Sequence, residues 1–94
     1  MASSKKVDAI FRALSNERRR KILELVRKNP RSAWEIAKEF DCTWPAISRH
    51  LRVLKAAGLV RIISDLEETD RPVFVMQDAA VEAAAKWLGE IGPD

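Results

Sequence analysis

Residues 32–60 read SAWEIAKEFDCTWPAISRHLRVLKAAGLV, and their pattern decides the fold. Ser32 is followed three residues on by Glu35, the spacing of a capping box, so a helix starts there. Ala33, Ile36, Ala37 and Phe40 supply its apolar side. Asp41-Cys42 makes a turn. Thr43 caps the next helix, and Pro45 falls in its first turn, where a missing N–H costs nothing. Ile47, Leu51 and Leu54 recur at spacings of four and three and face the core. Ala57-Gly58 ends the helix, glycine supplying the left-handed conformation. Two helices across a tight turn, the second basic on its polar face, make a helix-turn-helix. Its second helix has the shape and charge to enter a DNA major groove.

Upstream, Val7, Ile10, Phe11 and Leu14 form a helical stripe. Ser15-Asn16 breaks it, and either residue can cap the helix that follows, with Glu17 in its first turn. That second helix runs to about Lys28 and buries Ile22, Leu25 and Val26 before Asn29-Pro30 closes it. Downstream, Leu59–Ser64 and Pro72–Gln77 are strand-like runs around the polar loop Asp65–Arg71, which predicts a β-hairpin. Asp78 is the expected cap of a last helix reaching about Ile91. The expected fold is mainly α with a small β-hairpin, in the order ααααββα, a winged helix-turn-helix. Residues 1–94 form one domain: a loose tail (1–4), two helices (5–28), the helix-turn-helix (32–57), the wing hairpin (59–77) and a C-terminal dimerisation helix (78–91).

Ninety-four residues bury a modest core, so a partner subunit is a reasonable expectation. Apolar residues make up 47% of the chain, which fits a packed domain. No apolar run approaches the ~20 residues of a membrane span, and the start, MASSKK, does not read as a signal peptide. One cysteine makes no internal disulfide, consistent with a reducing compartment. The net charge of +3 is unevenly spread. Residues 1–61 carry fifteen Lys and Arg against six acids, whereas residues 62–94 carry two against eight. A basic body suggests a polyanion, though solvated helix faces would look the same; the motif favours the polyanion.

On the fourth helix, Trp44, Ser48, Arg49 and Arg52 are the candidates for reading base edges. Arg49 is the first choice, because arginine pairs with guanine through two hydrogen bonds. Trp44 either packs on a thymine methyl or a sugar, or is a core residue displaced outward. Arg31, Lys38, Thr43, His50, Arg61 and Arg71 are the candidates for phosphate contact, Thr43 together with the first amides of its helix. His50 has equally a structural reading. Arg18, Arg19, Arg20 and Lys21 span a whole helical turn, so only some can face DNA; one or two are expected to pair with Glu17 or Glu24.

The runs Phe11–Asn16, Arg19–Leu25 and Trp44–Val60 resemble those of ArsR-type winged-helix repressors, closely over residues 7–62 and by pattern beyond. The resemblance implies a homodimeric, cytoplasmic transcriptional regulator acting on double-stranded DNA. It implies a dimer interface from the first and last helices, here Val7, Ile10, Phe11, Val81, Ala84, Trp87, Leu88 and Ile91. Many members sense metals through a thiolate pair on the third helix. The matching segment here, Ser32–Ile36, has no cysteine, and the last helix has no histidine after Asp78. One Cys and one His cannot furnish a closed site, so no metal and no cofactor is expected. Asp65, Glu67, Glu68 and Asp70 crowd the wing tip, which phosphates would repel. An alternative follows from that: a winged-helix protein-interaction module using the acidic wing and last helix. No nucleophile–base pair, glycine-rich phosphate loop or metal cluster supports an enzyme.

Overall fold

The computed structural model describes residues 4–63 and 72–92. Helices α1 (Ser4–Leu14) and α2 (Glu17–Lys28) come first. A short strand β1 (Arg31–Ser32), helix α3 (Ala33–Lys38) and helix α4 (Trp44–Ala56) follow. Strands β2 (Val60–Ile63) and β3 (Val73–Met76) and helix α5 (Asp78–Ile91) complete the chain. The winged helix-turn-helix is therefore present, with one strand more than the ααααββα order contains. β1 pairs antiparallel with β3 (Arg31 opposite Phe74, Ser32 opposite Val73), giving a three-stranded sheet β1-β3-β2. Two residues are too few for a period-2 pattern, so the strand has no signature in the sequence.

The caps explain the boundaries. Asn16, not Ser15, caps α2: its side chain accepts from the amides of Arg18 and Arg19. Ser32 and Glu35 form the complete capping box at 3.2 and 2.9 Å. The Ser32 hydroxyl is thereby buried at little cost, since its polar group is paired. Thr43 accepts from the amide of Ala46, with Pro45 in the first turn of α4. Gly58 holds φ at +77°, the conformation that ends α4 and turns the chain into β2. Two boundary expectations need correction. α3 ends at Lys38, so Phe40 lies beyond it, half-buried against the core. Asp78 is the first residue inside α5 rather than its cap. The cap position is Gln77, which makes no side-chain cap bond. Its amide instead donates to the carbonyl of Gly58 at 3.0 Å and its backbone N–H to that of Leu59 at 2.8 Å. That side chain ties the start of α5 to the end of α4.

One core joins every layer: Ile10 and Ala13 from α1, Ile22 and Val26 from α2, Ile36 from α3, Ile47, Leu51 and Leu54 from α4, Leu59, Val60 and Phe74 from the sheet region, and Ala80 and Ala84 from α5. Ile10 is 0% exposed and Ala84 6%, so both belong to the protomer's own core and are removed from the expected subunit interface. Arg19 and Arg20 serve packing as well. Arg19 donates from Nε to the carbonyl of Ala13 (2.7 Å) and from a guanidinium nitrogen to that of Arg12 (3.2 Å). Arg20 donates to the carbonyl of Leu14 at 2.8 Å. These arginines satisfy the last carbonyls of α1, which have no partner within their helix. Lys21 pairs with Glu17 at 3.3 Å, one helical turn away. No helix among the described residues is long and apolar enough to cross a membrane.

Candidate nucleic-acid interface

Helix α4 is divided along its length. Ile47, Leu51 and Leu54 are buried against the core. Trp44, Ser48, Arg52 and Lys55 follow one another at spacings of four, four and three, which stack side chains along one face. These four line one groove of about 200 Å³ with Ala33, Leu51, Ile62, Pro72 and Phe74. The groove runs between α4 and the hairpin. Arg52 is exposed at the middle of the open face, with Ser48 about 40° to one side of it and Arg49 about 60° to the other. Trp44 is 52% exposed and takes no place in the core. Thr43 is exposed at the positive end of the α4 dipole.

Trp44, Ser48 and Arg52 are thus brought together, with Arg49 exposed beside them. The remaining basic candidates are scattered. Arg31 is half-buried on β1, and its Nε is buried with no hydrogen-bond partner among the described residues. Lys38 holds its ammonium 4.4 Å from the centre of the Trp34 ring, a cation–π contact. Arg61 is exposed, but alternation along β2 puts it on the opposite face from Ile62, which lines the groove. Arg71 and the acidic residues Asp65, Glu67, Glu68 and Asp70 lie outside the described residues.

His50 departs from its expected place at a phosphate. It is half-buried and turned toward α2, its Nδ1 3.5 Å from a guanidinium nitrogen of Arg19. Desolvation lowers its pKa, and the cations Arg19, Arg18 and Arg49 lower it further. The imidazole is therefore neutral at neutral pH, a poor phosphate ligand and a good packing group. At the other helix start, the hydrogen bonds from Ser32 lower the Glu35 pKa.

Three participants were missed: Trp34, Lys55 and Pro72. Trp34 is 56% exposed, and with Ser32, Ala33, Trp44 and Pro72 it borders a cleft of about 580 Å³. Its signal was present, because position 34 is off the Ala33–Ile36–Ala37 stripe and a tryptophan there has no core to fill. Lys55 was legible as one more step of the Ser48–Arg52 stripe. Pro72 had no signal, since only the paired hairpin carries it to α4.

The pattern of the bacterial regulatory protein, arsR family, matches residues 16–61, from the cap of α2 through the helix-turn-helix into β2. The transcriptional repressor SdpR of Bacillus subtilis is 32% identical over 79 residues, 84% of this chain and 84% of that one. The chain belongs to the arsR family. An ArsR-like transcriptional regulator from Rhodococcus sp. RHA1 superposes with a TM-score of 0.85 at 27% identity, covering 98% of this chain and 84% of that one. The homodimeric winged helix-turn-helix DNA-binding domain of a possible ArsR-family transcriptional regulator from Mycobacterium bovis shares the fold. Its TM-score is 0.75 at 23% identity, with 99% of this chain and 86% of that one covered. This ArsR-family protein is a DNA-binding transcriptional regulator; the family acts by recognition rather than by catalysis. Among the described residues no three His, Cys, Asp or Glu side chains converge on a point that could hold a metal ion.

Proposed function

We propose that this protein is a homodimeric transcriptional repressor that reads an inverted-repeat operator through α4, without a metal inducer. The observation that carries the reading is the open face of α4, where Arg52 stands between Ser48 and Arg49 while Ile47, Leu51 and Leu54 anchor the helix from behind. A rigid helix so anchored can hold arginine forks at fixed positions along a major groove. Thr43 and the first amides of α4 take a phosphate, and Lys38 contributes a further backbone contact.

Dimerisation is supported by what α1 and α5 leave uncovered. Phe11 and Trp87 meet edge to face, centroids 5.6 Å apart, and the ridge continues through Leu88 and Ile91, 50% and 61% exposed. Large apolar groups side by side on a small domain mark a contact surface. The Bacillus relative is a repressor and the Mycobacterium neighbour a homodimer, in keeping with both halves of the proposal. Two-fold symmetry then sets paired recognition helices about 34 Å apart. Regulation without metal follows from the donors: a chain with one cysteine and one histidine has no soft-ligand cluster, and that histidine packs against Arg19.

The test selects bound sites from a random duplex library and compares variants on the selected operator and on random DNA. Arg52→Ala and Arg49→Ala each lose about 1–3 kcal/mol on the operator and relax the preference at one base pair per half-site. Lys38→Ala weakens operator and random duplex alike and flattens the salt dependence. Equal losses on both duplexes for all three variants refute direct readout by α4. No binding to any duplex at low salt favours a protein-interaction module instead.

A further inference from the structure

Trp34 and Trp44 come from different helices but border the same cleft. Two large indoles on one cleft, each more than half exposed, are costly to leave in water. The cleft is continuous with the groove along α4, since Ala33, Trp44 and Pro72 line both. A long occupant lying against Arg52 can therefore extend over the tryptophans. No acidic side chain lines either part among the described residues, and cations rim it: Lys38 over the Trp34 ring on one side, Arg52 and Lys55 on the other. An apolar floor with a cationic rim suits an occupant that is negative outside and apolar within. A DNA strand seen from the major groove has that character where it carries thymine. Thymine alone among the four bases presents an apolar group there, its 5-methyl.

We infer that Trp34 and Trp44 form a thymine-reading cleft that seats 5-methyl groups toward one end of each half-site. The inference rests on the DNA-reading role of α4 proposed above. It adds a specificity-determining residue, Trp34, that belongs to α3 and not to the recognition helix. Lys38, stacked on Trp34, neutralises the phosphate on the same strand.

The experiment replaces each thymine of the selected operator, one at a time, by deoxyuridine. That change deletes a methyl and keeps every hydrogen-bonding group. Wild-type affinity is expected to fall about fourfold at one or two positions per half-site, the effect of one buried methyl. Trp34→Ala and Trp44→Ala are expected to bind thymine and uracil operators alike at those positions. Both are also expected to keep the wild-type melting midpoint, as their exposed side chains allow. The inference is overturned if uracil changes nothing for the wild type, or if both variants keep the full thymine preference. It is overturned too if an anilinonaphthalenesulfonate shifts the indole emission while operator DNA does not, which assigns the cleft to an apolar small molecule. Insensitivity to uracil with Arg52→Ala still impaired sinks the cleft alone. A wild type that does not distinguish operator from random duplex sinks the cleft and the reading beneath it.

Discussion

His50 shows how one side chain changes meaning once its neighbours are known. On the sequence it stands beside Arg49 and invites a phosphate; in the fold it is turned to Arg19 and desolvated. Its folded-state pKa lies below the ordinary imidazole value, whereas the unfolded chain keeps that ordinary value. Between the two, the unfolded state binds the extra proton, so stability rises with pH and falls as pH drops through that window. Moving from ~pH 7.5 to ~pH 5 should lower the urea midpoint, and His50→Gln should flatten that slope. An unchanged slope means that His50 titrates alike in both states. Glu35 has the same sign and a lower window. Its depressed pKa gives stability that is present above the unfolded carboxylate value and lost as pH falls through the folded one, so the two effects separate along the pH axis.

Among the elements, α4 depends most on its ends. Thr43 and Pro45 start it, and Gly58 stops it with a positive φ. A Cβ at Gly58 would meet Gln77 Nε2 at 3.9 Å and Ala80 Cβ at 4.0 Å, which are ordinary contacts. The cost of Gly58→Ala is therefore conformational, about 1–2 kcal/mol for a left-handed non-glycine residue, and chemical denaturation measures it directly. A cost near zero would show that the turn relaxes to another backbone path. The arginines of α2 act at the same scale. Arg19 and Arg20 belong to a basic run of which only some can face DNA, and three of their hydrogen bonds end on carbonyls of α1. A guanidinium reaches about as far as a neighbouring helix end, and nothing in a run of like charges says which way each will turn.

Across the whole molecule, the recognition helix and the uncovered ridge of α5 belong to one core but serve different surfaces. Leu88→Glu is a clean probe of the second, because Leu88 is half exposed in the protomer and carries little of its packing. The variant should fold with an unchanged melting midpoint at low concentration and sediment as a monomer. It should bind a full operator about a hundredfold more weakly while binding a half-site normally, since linked half-sites raise local concentration by 10²–10⁴. A variant that stays dimeric places the interface elsewhere. The charge asymmetry also acts at this scale: the basic portion contains the helix-turn-helix and the acidic portion contains α5, so the molecule's field favours presenting α4 to a polyanion.

Periodicity and caps made the helices, the turn and the hairpin legible, because a 3.6-residue stripe, a Ser–Glu capping box and a glycine stop are local and leave local marks. The same locality made Trp44, Ser48, Arg49 and Arg52 legible as one open helix face. The tertiary structure alone decided what depends on distance across the chain. It paired the two residues of β1 with β3, took Ile10 and Ala84 into the core, turned His50 to Arg19, and set Trp34 and Trp44 on one cleft. Each of these is a contact between segments that share no period, and only packing against a common core brings such segments together.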